Sequence, residues 1–496
     1  MNHSAILFAI IFCGCASTIK QEESLQSTSG GEEYRPVYHF TPSGNWMNDP
    51  NGMVYFKGEY HLFYQHYPDS NVWGPMHWGH AVSTDMVNWE HLPIALYPDS
   101  LGYIFSGSAV IDWQNTTGFG TADNPAMVAI YTYHDPVGAD SGAVDFQYQG
   151  IAYSLDKGRS WTKYENNPVL PNPGIIDFRD PKVFWNESFG QWTMILAVKD
   201  HINLYSSPNL VDWTLESEFG QTIGAHGGVW ECPDLFQLTD QNGLAQWVML
   251  VSINPGGPQG GSATQYLVGD FDGSVFTPAD TVTRWVDHGA DNYAGVTWSD
   301  VPQSDGRRLF LGWMSNWQYA NVVPTYNWRS AMTIPRELKL KTIEGKPILQ
   351  SVPVAELETL FGDIQLVGSG VKIGADAFRV DVYGLPDKDF ELVLSNAKAE
   401  RLVIALNSNE LIVDRTAAGI SSFEKAFSAV HRAPLPAVDI DRLQIYVDRA
   451  SVEVFVNDGQ VVLTDLVFPT EPYNTITYSN GAKVGIAPVK TVSQEL

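Results

Sequence analysis

Cysteine is nearly absent: the 496 residues contain three, Cys13, Cys15 and Cys232. A disulfide-stapled scaffold is excluded, so stability must come from a buried core. Positive charge is also scarce, with Lys and Arg totalling 29 against 56 Asp and Glu, a formal net charge of −27. Such a surface repels phosphate backbones and anionic lipid headgroups, which argues against nucleic-acid or membrane-surface binding and favours a neutral or cationic ligand. Charged residues are only 17% of the chain while hydrophobic ones are 44%, which excludes a disordered, coiled-coil or collagen-like protein. No apolar run is long enough to span a bilayer, which takes about 20 residues. What is plentiful is aromatic: Trp 16, Tyr 22 and Phe 23. These fill cores and also offer flat faces to a ligand such as a sugar ring.

The short apolar run Ala5–Phe12 reads as the h-region of an export signal over residues 1–15. Phe12-Cys13-Gly14-Cys15 resembles a bacterial lipobox, with Cys15 as the residue to be lipidated. Phe12 stands where Leu is usual, and the leading Met1-Asn2-His3-Ser4 carries no Lys or Arg. Residues 16–33, rich in Ser, Glu, Gln and Gly, read as a flexible tether. The expected location is the periplasm or cell surface, with any membrane contact through a lipid on Cys15.

Residues 34–345 show short apolar or alternating runs broken by Gly, Pro, Asn and Asp, and no long stretch of helical period. A weak repeat joins a small polar turn to a Trp: Val82-Ser83-Thr84-Asp85 leads to Trp89, Tyr153-Ser154-Leu155-Asp156 to Trp161, and Tyr205-Ser206-Ser207-Pro208 to Trp213. Such turns also recur by chance in β proteins. Read as repeats of roughly 60 residues they predict about five propeller blades. Residues 346–496 hold a linker, a short helix near Glu356-Leu357-Glu358, and period-2 strands. Val452–Val456 and Gln460–Thr464 flank Asn457-Asp458-Gly459, which predicts a hairpin. The expected fold is all-β, a propeller followed by a C-terminal β-sandwich.

Three segments set a carboxylate beside groups that would fix its charge. In Asn48-Asp49-Pro50-Asn51-Gly52, a strong turn signal, Asn48 and turn amides would keep Asp49 ionised and fit to act as a nucleophile. In Asp177-Phe178-Arg179-Asp180-Pro181-Lys182, neighbouring cations would keep Asp180 ionised and able to accept bonds from hydroxyls. In Trp230-Glu231-Cys232-Pro233-Asp234, water-poor surroundings would let Glu231 hold its proton and act as a general acid. Each segment alone is also an ordinary turn or core. Together they match the division of labour in a retaining glycosidase.

These motifs resemble glycoside hydrolase family 32, the β-fructofuranosidase, inulinase and levanase group. The likeness extends through Tyr64-Gln65-His66-Tyr67-Pro68, Trp73-Gly74-Pro75-Met76, Phe105-Ser106-Gly107-Ser108, Met314-Ser315-Asn316-Trp317 and Val447-Asp448-Arg449. The resemblance implies a five-bladed propeller with Asp49 as nucleophile, Asp180 as transition-state stabiliser and Glu231 as acid/base. It also implies a fructose subsite lined by Asn48, Gln65, Trp73, Phe105, Ser106, Arg179 and Trp317, with Trp313 close to the last in sequence. No cofactor or metal is expected: His77 and His80 lack the helical spacing of a zinc motif and lie in a Gly- and Pro-containing segment. The expected activity is hydrolysis of β-fructofuranosyl linkages in levan or inulin, and in sucrose, through a covalent fructosyl-enzyme. The alternatives are a fructosyltransferase using the same site and a non-catalytic propeller lectin.

Overall fold

The Ser-to-Trp repeat folds the same way three times. A Ser hydroxyl and the Asp or Asn two residues on cap each turn, as in Ser83 Oγ to Asp85 at 2.9 Å and Ser154 Oγ to Asp156 at 2.7 Å. The next residue takes a positive φ: Met86 62°, Lys157 60° and Leu210 64°. The indole then donates back to a main-chain carbonyl: Trp89 to Met86 at 3.0 Å, Trp161 to Gly158 at 3.0 Å and Trp213 to Leu210 at 3.1 Å. In every copy this turn joins the third strand of an antiparallel sheet to its fourth, His77–Ser83 to Glu90–Leu96, Gln147–Ser154 to Thr162–Lys163, and His201–Ser207 to Thr214–Phe219.

The computed structural model describes residues 32–385, 389–407, 409–436, 439–479 and 481–490. The export signal, Cys15 and nearly all of the tether lie outside them. Five such sheets follow one another around a ring, giving the five-bladed propeller. Their inner strands are Asn45–Phe56, Tyr103–Ile111, Phe178–Asn186, Val229–Thr239 and Tyr293–Thr297. Each packs against the next, and the fifth packs against the first. Trp328–Arg329, a late segment, pairs in parallel with Asn45 and Trp46 and so ties the end of the ring to its beginning. The outer strand of the fifth sheet, Lys346–Pro353, lies past residue 345, where the sequence puts the end of the propeller.

A one-turn 3₁₀ helix, Ala355–Thr359, leads into two six-stranded antiparallel sheets that face each other. Their inward residues alternate with outward ones along strands such as Arg401–Leu406, and Val380, Leu392, Ile404 and Val454 form the apolar layer between them. The Asn457-Asp458-Gly459 hairpin is present. All three residues have positive φ, and Val456 pairs with Val461.

Candidate active site

All five inner strands lose their regular ladder at the same depth. Register breaks fall between Met47 and Pro50, Ile104 and Gly107, Arg179 and Lys182, Glu231 and Asp234, and Tyr293 and Val296. A bulge re-aims side chains, and here it turns them toward the ring axis. Three of the breaks contain a proline, Pro50, Pro181 or Pro233, which has no N–H to contribute to a ladder. The Asp-Pro-Asn-Gly segment is thus a bulge inside one continuous strand, not the strand-ending turn its composition predicts. Asp180 (φ 66°), Cys232 (45°) and Ala294 (52°) hold backbone conformations that are strained for L-residues.

Asp49 is half-buried. Asn48 Nδ2 donates to its Oδ1 at 2.9 Å and Ser106 Oγ to its Oδ2 at 2.7 Å. Asn48 is itself fixed by the indole of Trp46 at 2.7 Å. The buried thiol of Cys232 bridges two acids, with Sγ 3.5 Å from Asp49 Oδ2 and 3.7 Å from Asp180 Oδ2, while its backbone N–H donates to Asp180 at 3.0 Å. Asp180 is 5% exposed. Glu231 receives the Arg179 guanidinium at 2.9 and 3.1 Å, and the Tyr293 hydroxyl donates to its other oxygen. Arg179 also reaches Asp177 at 2.6 Å and approaches Asp180 only to 4.0 Å.

Burial, and then the charge of Glu231, raise Asp49 above the usual carboxylate range, opposed by the bonds from Asn48 and Ser106. Burial pushes Asp180 up to about 7. Arg179 pulls it down, and the charges of Glu231 and Asp49 push it further up. Burial and the surrounding acids also lift Cys232, so its sulfur is a neutral thiol. The geometry revises the sequence reasoning. Trp230 and Cys232 turn into the core while the Glu231 side chain keeps 21% exposure, and the water-poor setting expected around Glu231 surrounds Asp180 instead. The guanidinium assigned to Asp180 chiefly engages Glu231.

The remaining expected subsite residues connect to this cluster. Gln65 Nε2 donates to the carbonyl of Ile104 at 3.1 Å, next to Phe105. The Phe105 ring meets the edge of Trp73, which is 41% exposed, and stacks on His134 at 4.3 Å. Trp317 stacks on Trp46 at 5.9 Å and remains partly open, whereas Trp313 is fully buried. Of the two, Trp317 is the one able to meet a ligand. Tyr293, Asp177 and the Cys232 thiol were not anticipated as site groups. Nothing in the local sequence marks Tyr293, and its partner Glu231 lies 62 positions away in the chain. Among the described residues no group of His, Cys, Asp and Glu is arranged to hold a metal ion.

A half-open carboxylate with two donors, a second acid held by a guanidinium and a phenol, and a third buried beside both form a site for acid/base and nucleophilic chemistry on a polyol, rimmed by tryptophans. Known proteins resemble this chain over most of its length. The model of the glycosyl hydrolases family 32 N-terminal domain matches residues 39–352, and that of the family's C-terminal domain matches 378–493. A levanase of Bacillus subtilis is 50% identical, covering 95% of this chain and 71% of the relative. An extracellular exo-inulinase of Aspergillus ficuum is 40% identical over 88% of this chain and 90% of its own. Among solved structures, the exo-inulinase of Aspergillus awamori superposes with a TM-score of 0.85 at 37% identity, over 92% of this chain and 98% of that one. The β-fructofuranosidase of Schwanniomyces occidentalis complexed with fructosyl-erythritol gives 0.83 at 34% identity, over 93% and 99%.

Proposed function

The chain belongs to glycosyl hydrolase family 32, and from that premise we propose that it is a retaining fructanase that cleaves β-fructofuranosyl linkages through a covalent fructosyl-enzyme. One observation carries the reading: Asp49, Asp180 and Glu231, from three different blades, share one hydrogen-bonded cluster with Ser106 and Tyr293 from the other two.

Asp49 attacks C2 of the fructosyl unit while Glu231 protonates the departing oxygen. Asn48 and Ser106 keep the attacking oxygens aimed. Arg179 and Tyr293 hold Glu231 from both sides, so its carboxyl is positioned before the sugar arrives. Asp180 grips ring hydroxyls more tightly as the ring flattens, which lowers the barrier more than it raises ground-state affinity. Glu231 then activates the water that releases fructose. A neutral polymer suits so acidic a protein, and relatives named levanase and exo-inulinase support a fructan over sucrose as the main substrate.

Hydrolysis run in the presence of methanol tests the stereochemistry. Retention predicts that the first methyl fructoside formed has the β configuration by NMR, and an α product would overturn the nucleophile assignment. Asp49→Ala should abolish turnover of levan, inulin and sucrose while leaving the circular dichroism spectrum intact. Thin-layer analysis of the first products separates free fructose from an oligosaccharide ladder, and the product profile at high sucrose separates water from sugar as acceptor. Export is supported by the extracellular relatives. Anchoring at Cys15 predicts palmitate labelling that Cys15→Ala removes.

A further inference from the structure

The site groups lie near the N-terminal ends of the inner strands, so the C-terminal ends of those strands open at the opposite mouth of the propeller. A cavity of ≈ 520 Å³ sits there, lined among others by Trp113, Gln114, Asn186, Glu187, Asp300 and Arg308. From Asp180 to Asn186 the strand rises about 3.3 Å per residue, which puts the outer end of the cavity ~20 Å from the catalytic acids, while its inner end reaches Lys182 and Asp234.

Two of its side chains are built for a ligand. Trp113 is 54% exposed, yet it is pinned: its Nε1 donates to Asp300 Oδ1 at 2.8 Å and its ring leans on Phe56 at 5.8 Å, while Asp300 is held in turn by the backbone N–H of Ile111 at 2.9 Å. An indole fixed in this way presents a flat apolar face at little entropic cost. The Arg308 guanidinium lies 5.0 Å over the Phe236 ring and, among the described residues, has no hydrogen-bond acceptor, although the charge of Asp234 in the same wall acts on it from beyond ion-pair distance. In a chain of net charge −27, a half-buried guanidinium whose donors are open stands out. Glu187 in the same wall is also unpaired and exposed. Lys182 is already satisfied by the Thr297 carbonyl at 2.5 Å and by Asp234 at 3.3 Å.

A platform, an open donor fork and an open carboxylate acceptor match the face and hydroxyls of a sugar. They do not match an anion, which Glu187 and Asp300 would repel. We propose that this cavity is a second, non-catalytic carbohydrate site that binds an internal stretch of the fructan chain. The proposal rests on the fructanase reading above. Holding the polymer on the far face raises the concentration of chain ends near the catalytic mouth without any further contact at the active site.

The test uses the Asp49→Ala protein labelled with 5-fluorotryptophan and titrated with fructosylnystose, the sugar found in a complex of the Schwanniomyces enzyme. Fluorine resonances are assigned by Trp113→Phe, Trp73→Phe and Trp317→Phe. The expected result is that the Trp113 resonance shifts together with those of Trp73 and Trp317. Arg308→Gln in the same background should weaken the Trp113 response at least tenfold while the Trp73 isotherm stays as it was. Movement of Trp73 and Trp317 with Trp113 unmoved would overturn the second site and leave the fructanase reading standing. No movement at any of the three would overturn the fructanase reading itself. A Trp113 shift produced by inorganic sulfate and not by the sugar would make the cavity an anion site and overturn the proposal.

Discussion

Among the described residues Ser106 is the one hydroxyl bonded to Asp49, and its effect on the acid has a definite sign. Burial raises Asp49 and the Ser106 bond lowers it. Removing the bond in Ser106→Ala therefore raises Asp49 further, and the acid limb of kcat/KM, which reports the free enzyme, moves to higher pH. A hydrogen bond to a charged acceptor is worth about 1.5–3 kcal/mol, so the limb should shift by about one to two units. Asp180 also titrates high but has no contact with Ser106, so a limb that stays in place would mean that Asp49 is not the group being read. For Glu231→Ala the expectation is a loss of about 10²- to 10⁴-fold on natural substrates, with fructosyl transfer restored for a donor whose leaving group needs no proton. Absence of rescue in stopped-flow measurements would remove the acid role. The three acids were legible in the sequence because each stands in a distinctive local motif. Their environments were not, because exposure and ion pairing are decided by residues from other blades.

At the scale of the element, the bulged inner strand is the device that makes the site, and Gly107 shows how tightly it is built. A Cβ on Gly107 would lie 2.1 Å from the Ile130 carbonyl oxygen and 2.7 Å from the Tyr131 Cα, both backbone atoms of the neighbouring strand. Nothing there can rotate away, so Gly107→Ala must part the two strands beside Ser106. We expect a loss of about 3 kcal/mol in urea unfolding together with a drop in kcat, since Ser106 leaves Asp49. A variant with a wild-type midpoint would mean that the strands do not approach as described. Three blades announced themselves in sequence through the Ser-to-Trp turn. The fourth did not, because Phe276 follows the Asp272 turn where the others have Trp, and Asp272 caps Ser274 and Val275 in the same manner. The Asp-Pro-Asn-Gly bulge was misread because its composition is that of a turn, and only the unpaired inner edge of a blade lets a strand carry such residues through its middle.

Across the whole molecule, the sandwich reaches into the catalytic ring through buried charges. Arg415 of the sandwich donates to Asp291 at 2.7 Å, the Leu466 N–H donates to the same carboxylate at 2.8 Å, and Asp291 stands two residues before Tyr293, the partner of Glu231. Arg336 of the fifth blade pairs with Asp287 at 2.9 Å and with Glu453 of the sandwich at 2.5 Å. His39 lies between Asp448 and Glu453 at 2.8 Å to each. None of this is visible in sequence, since the partners are up to 414 positions apart. Burial pulls His39 down, but the bonds to Asp448 and Glu453 outweigh it and lift the ring to about 9. A histidine raised from an unfolded value near 6.5 contributes its stabilisation fully below that pH and loses it as pH climbs through 9. On the usual conversion the contribution is about 3 kcal/mol. His39→Gln keeps a neutral hydrogen-bonding side chain between the two acids but never carries charge. Its deficit in unfolding free energy should therefore be widest near pH 6, shrink as pH climbs from about 6.5 to 9, and be lost above pH 9. Denaturant titrations at the two pH values decide the matter: a deficit that stays constant, or grows with pH, would mean that His39 is neutral in the folded protein and that the joint between propeller and sandwich does not depend on its charge.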